Sequence, residues 1–170
     1  MYTYREATEA EFFKLGELMV KVYSQLEGFP NQEEQPDYYS TLRKVGKFTE
    51  SPKAKLFVAV SDLGKIDGGL VYFGDMRYYG GGEESTKNQQ AAAFRLLAVN
   101  PRIRGKGIGK KLIQCCIEQA KKDGHTVMVI HSTKSMIVAW KMYERMGFER
   151  FTEIDFKQGN LAVFGFRLIL

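Results

Sequence analysis

The chain has 170 residues, 44% of them hydrophobic, and a formal net charge of +5 at pH 7. That length suits one domain, expected over residues 1–170, and no apolar run approaches the roughly 20 residues needed to cross a bilayer. The opening MYTYREATEAEFF lacks the basic-then-apolar order of a signal peptide, and adjacent Cys115 and Cys116 are the only cysteines, so no CxxC or metal-ligand spacing exists. A cytoplasmic setting is expected, with no membrane partner and no metal.

The elements follow from periodicity and punctuation. Thr3–Arg5 predicts a short strand. Thr8 then reads as a helix N-cap, with Glu9 and Glu11 in the first turn and Phe12, Leu15, Met19, Val22 and Tyr23 as an apolar stripe at helical spacing. Gly28-Phe29-Pro30 is expected to end that helix, Asn31–Pro36 to form a loop and Asp37–Val45 a second helix. Leu56–Val60 and Gly69–Phe73 read as an antiparallel strand pair around the turn at Asp62–Lys65. The polar, glycine-rich stretch Tyr79–Asn88 predicts a mobile loop. Ala92–Val99 is a strand stopped by Asn100-Pro101, Ile108–Lys122 a helix closed by Asp123-Gly124, and Thr126–Ile130 a strand. Ser135–Met146 is a helix ended by Gly147. Phe151–Asp155 and Leu161–Leu170 are expected as two strands around Gln158-Gly159-Asn160. The order is mixed α/β.

Charge is uneven. Residues 1–100 carry 12 Lys/Arg against 14 Asp/Glu, whereas residues 101–170 carry 13 against 6. The basic half centres on Arg102-Ile103-Arg104-Gly105-Lys106-Gly107-Ile108-Gly109-Lys110-Lys111, between a predicted strand and a predicted helix. Alternate glycines allow positive φ and close approach of a ligand, and the first N–H groups of a helix form an anion site. The spacing is not the dinucleotide G-x-G-x-x-G, and Lys111 stands where a P-loop needs Ser or Thr. Arg104, Gly107 and Gly109 instead match Arg/Gln-x-x-Gly-x-Gly/Ala.

The stretch LLAVNPRIRGKGIGKKLI resembles the acetyl-CoA pyrophosphate motif of the GNAT superfamily of N-acyltransferases. Ala139-Trp140-Lys141-Met142-Tyr143-Glu144-Arg145-Met146-Gly147-Phe148 resembles that family's Ala-x-x-x-Tyr-Glu-x-x-Gly-Phe signature, in the expected order. The resemblance implies a GNAT-like α/β fold, with a central, mostly antiparallel, splayed sheet flanked by helices. It implies acetyl-CoA as co-substrate and direct attack by a primary amine in a ternary complex. The backbone at Leu97, Ala98 and Val99 would pair with the pantetheine arm. The run Arg104, Gly105, Lys106, Gly107, Ile108, Gly109 and Lys110 would hold the pyrophosphate. Tyr143 would be the general acid for the leaving thiolate. Two departures stand out: Met136 occupies a position where the family often has Asn, and Phe94–Val99 carries no carboxylate to activate the amine.

A lysine-like amine is neutral in only about one molecule in a few thousand at pH 7, so a base or water chain must take its proton. Glu27, Asp75, Glu83, Glu84 and His131 are the candidates, and no spacing selects among them. The acceptor would be a small-molecule or peptide amine. The acids of Glu27–Asp37, with Glu83 and Glu84, point to a cationic one. The main alternative is a non-catalytic CoA-binding sensor that keeps Arg104–Lys110 but lacks acceptor chemistry. A nucleic-acid partner is not expected, for no basic–aromatic recognition motif is present. A homodimer is left open.

Overall fold

The computed structural model describes every residue from Met1 to Leu170. Its strands are β1 (Tyr2–Glu6), β2 (Ala54–Ser61), β3 (Ile66–Phe73), β4 (Ala91–Val99), β5 (Val127–Ser132), β6 (Glu149–Arg150), β7 (Phe156–Gln158) and β8 (Leu161–Ile169). Its helices are α1 (Phe12–Ser24), α2 (Pro36–Arg43), α3 (Glu83–Thr86), α4 (Ile108–Lys122) and α5 (Ile137–Arg145). Seven strands form one sheet in the order β1-β2-β3-β4-β5-β8-β6, and β7 adds to β8. Only β4 and β5 pair in parallel; every other pairing is antiparallel. The mostly antiparallel sheet with helices on its faces is the expected fold class.

Helix α1 begins as anticipated. Thr8 and Glu11 form a reciprocal capping box, and Glu11 also takes a two-pronged ion pair from Arg5 at 2.7 and 2.9 Å. The stripe Leu15, Met19, Val22 and Tyr23 is buried against the sheet, with α2 behind it. On the opposite face α4 buries Ile108, Leu112, Ile113, Cys116, Ile117 and Ala120. Cys116 is free and fully packed, and burial pushes its thiol up, so it is core rather than a nucleophile.

The sheet splits at its middle. Strands β4 and β5 pair only from Ala91↔Val127 to Ala93↔Val129, although β4 continues to Val99 and β5 to Ser132. Beyond Ala93 the β5-facing edge of β4 is unpaired, which opens a wedge. On its other edge β4 carries a bulge: Gly69 faces Ala98, but Val71 faces Arg95, and Leu96 adopts φ +60°. The extra residue turns Leu96, like Arg95, toward the α1 face and leaves Leu97 on the α4 face.

Several elements differ from expectation. Helix α1 stops at Ser24, before Gly28, because Gln25 already closes its last turn onto Val22. Phe151–Asp155 is a 3₁₀ turn at Thr152–Ile154 rather than a strand; the hairpin strand is β7, and Ile154 is buried beneath it. The stretch Tyr79–Asn88 is not a plain mobile loop. It contains α3, the buried Ser85 hydroxyl donates to the Gly81 carbonyl at 2.6 Å, and Arg95 donates to the Tyr79 carbonyl at 3.0 Å.

Candidate active site

Two cavities occupy the wedge. One, of about 490 Å³, runs between the end of β4, the turn into α4 and the inner face of α5. The other, of about 320 Å³, lies between α1, the Tyr79–Gly81 segment, β4 and the β5–β8 side. They share Tyr23, Leu97, Met136 and Tyr143, so they meet at those four side chains.

The larger groove is built by backbone first. Asn100 is buried and holds its side chain between the Asp67 carboxylate (2.8 Å) and the Arg102 N–H (3.2 Å), which aims the chain into the glycine turn. Gly105 has φ +84° and Gly107, the α4 N-cap, φ +76°; a Cβ at either would meet nothing within 4 Å. Both therefore need glycine for conformation, and both face open space that a ligand can enter closely. Gly109 has ordinary dihedrals and packs toward Met142 and Val99. Arg102, Arg104, Lys106, Lys110 and Lys111 are all exposed, and none is in an ion pair. With uncapped helix N–H groups and an unpaired strand edge alongside, this groove fits a long polyanion with an extended arm.

Of the residues anticipated for the cofactor, Leu97, Val99, Arg104, Gly105, Gly107, Ile108, Gly109 and Lys110 line this groove. Ala98 and Lys106 do not: Ala98 points into the core on the α1 side, and Lys106 is exposed outside the lining. Met142 and the exposed Arg145, both on α5, also join the lining; for Met142 the signal was its place in the contiguous Ala139–Phe148 segment.

Tyr143 is 5% exposed and packs against Phe94, Phe148 and Phe166. Burial holds its phenol well above the ordinary pKa, and its hydroxyl takes part in no protein hydrogen bond. Beside it, the Tyr23 hydroxyl donates to the Leu97 carbonyl at 3.2 Å and ties α1 to the bulged part of β4.

Among the candidate bases only His131 reaches the smaller cavity. Glu27 and Glu83 are exposed, Glu84 pairs with Lys87, and Asp75 pairs with Arg77. Nor do Glu33, Glu34 and Asp37, the acids that suggested a cationic acceptor, line it. His131 Nε2 lies 2.7 Å from the Ile154 carbonyl, which can only accept, so that nitrogen carries the proton. Nδ1 is then the lone-pair side and accepts the Tyr79 hydroxyl at 2.8 Å. The rings stack 5.5 Å apart at 21°, and burial holds the imidazole below its ordinary pKa. Gly81 makes this pair possible, since a Cβ there would lie 2.7 Å from both rings.

Tyr79 and Arg95 also face this cavity and had not been assigned a role. An arginine inside the apolar run Phe94–Val99 was a visible signal; the partnership of Tyr79 with His131, 52 residues away, was not.

Residues 19–148 match the model of the Acetyltransferase (GNAT) family. A stretch of 72 residues is 32% identical to N-acetylaspartate synthetase from Danio rerio, covering 42% of this chain and 26% of that protein; the match spans about a quarter of that relative's length. Among solved structures, a GNAT-family acetyltransferase from Staphylococcus aureus superposes with a TM-score of 0.73 at 15% identity, covering 98% of both chains. The ribosomal-protein-alanine N-acetyltransferase of Brucella melitensis gives 0.73 at 19% identity over 99% of both. A Salmonella typhimurium protein solved with its cofactor acetyl-CoA gives 0.68 at 18% identity, over 99% of this chain and 93% of that one. The family match covers well over half of the chain and the fold agrees throughout: the protein belongs to the GNAT family of acetyltransferases.

Proposed function

We propose that the protein transfers an acetyl group from acetyl-CoA to a primary amine by direct attack, with the donor in the larger groove and the amine in the smaller cavity. The observation that carries this is the meeting of the two cavities at Tyr143 and Leu97. Donor and acceptor can be brought together there without a covalent enzyme intermediate. The name of the zebrafish relative favours an amine on a small molecule over a protein lysine.

Acetyl-CoA supplies an activated thioester carbonyl when bound. Leu97, Val99 and the amides from Gly105 to Lys110 hold and orient it, with Arg104 and Lys110 neutralising phosphate charge. His131 receives the amine's proton through Tyr79. The Tyr79 oxygen accepts from the incoming amine while its own proton passes to Nδ1. An imidazole held below its usual pKa is neutral at pH 7 and ready to accept. Tyr143, with an uncommitted hydroxyl, donates toward the sulfur as it leaves.

A thiol-release screen of amines with acetyl-CoA tests the proposal. Turnover of at least one class, with strict dependence on both substrates, supports it. Tight CoA binding with no thiol release from any amine would replace it with a CoA sensor.

A further inference from the structure

Arg95 is a half-buried cation without a counter-ion. Its guanidinium gives one hydrogen bond, to the Tyr79 carbonyl at 3.0 Å, and enters no ion pair. It lines the smaller cavity, and no Asp or Glu lines that cavity with it. Its charge is felt by Tyr23, Tyr38, Tyr79 and His131, which surround the same space. Ordinary alternation along β4, in unbroken register from Ala93 to Arg95 opposite Val71, puts Arg95 there, on the face of α1 and the Tyr79 segment. A guanidinium among aromatic rings is costly to keep without an anionic partner. Two more polar groups are left over in the same lining: the hydroxyls of Ser132 and Thr133 are buried, and each lacks a hydrogen-bond partner.

We infer that the acceptor is a small amine that also bears a carboxylate, an amino-acid-like molecule, and that Arg95 pairs with that carboxylate. The inference deepens the acetyltransferase proposal and rests on it for the identity of the reacting amine. A planar guanidinium matches a carboxylate in a two-pronged pair that an amide or a second amine cannot form. Phe29, Tyr38 and Phe156 supply the apolar walls. A volume of about 320 Å³ is at the small end of the roughly 300–1,000 Å³ typical of ligand cavities. This favours a single small molecule over a protein segment. A cationic acceptor such as a polyamine would bring its charge against Arg95.

The test separates binding from turnover. Calorimetry with CoA-saturated protein compares L-amino acids with their own carboxamides, which differ only in the carboxylate. The acids should bind at least about tenfold more tightly, and Arg95→Gln should erase that preference while CoA affinity stays constant. Arg95→Lys, which keeps the charge but not the fork, should fall between. In thiol-release assays with acetyl-CoA the acids should be preferred, and Arg95→Gln should lower kcat/KM by roughly 10–100-fold, mainly through KM. Equal binding of acid and amide by the parent protein, or a preference for polyamines, would overturn the inference. A carboxylate preference that depends on Arg95 but comes without turnover of any amine would uphold the site and overturn the acetyltransferase proposal instead.

Discussion

Replacing Tyr143 with Phe removes one oxygen and nothing else. The ring keeps its contacts with Phe94, Phe148 and Phe166 at centroid distances of 5.9, 5.9 and 6.4 Å. No protein hydrogen bond is lost, because the hydroxyl makes none. Stability should therefore change by no more than about 0.5 kcal/mol. Catalysis should change far more. A positioned general acid contributes ~10²–10⁴-fold, equivalent to about 2.7–5.4 kcal/mol of transition-state free energy. Burial raises the Tyr143 phenol above its ordinary value of 10.0, whereas a free thiol titrates near ~8.5. A thiol beside it is desolvated in the same direction, which lessens the gap between donor and acceptor as the carbon–sulfur bond breaks. The assay pairs steady-state thiol release with thermal unfolding and CoA calorimetry. The expected result is a kcat lower by at least 10²-fold, with Tm and CoA affinity near those of the parent. A kcat within about threefold of the parent refutes the acid role, and a Tm lowered by many degrees would assign Tyr143 to packing.

Gly107→Glu should weaken CoA binding by at least about tenfold, because it puts a side chain at φ +76° and a negative charge where phosphate is expected. Calorimetry reads this, and Gly107→Ala, which carries the strain without the charge, should lose less. The kcat of the parent enzyme should fall on the acidic side as His131 gains a proton, at a pH below the ordinary histidine value of 6.5. His131→Gln should remove that limb and lower the plateau by about 10²-fold; a limb that survives the substitution assigns the base elsewhere. Gly81→Ala should press a methyl group to 2.7 Å from the Tyr79 and His131 rings and force them apart. We expect about 1–3 kcal/mol of lost stability from overpacking and a reduced kcat with unchanged CoA affinity, measured by thermal unfolding and kinetics on the same sample.

Much of the larger groove, proposed for the acetyl donor, was legible in one dimension. The glycine turn, the helix after it and the Ala139–Phe148 segment are each contiguous, and their geometry follows from local rules. Positive φ needs Gly105 and Gly107, a helix start exposes N–H groups, and Tyr143 sits in the contiguous signature segment. The boundaries of α4 were read to the residue for the same reason. The smaller cavity was not legible, because no local pattern encodes it. Tyr79, Arg95 and His131 come from a loop and two strands, and they meet around the space opened where β4 parts from β5 after Ala93, with the bulge at Leu96 shaping its far end. A bulge in an otherwise regular apolar strand leaves no mark on side-chain alternation that a single sequence can distinguish from noise. The acids of the Glu27–Asp37 and Glu83–Glu84 segments were conspicuous as a charge count, yet in space they stand outside the cavity lined by Arg95. Charge acts through distance and burial, and both are properties of the folded chain.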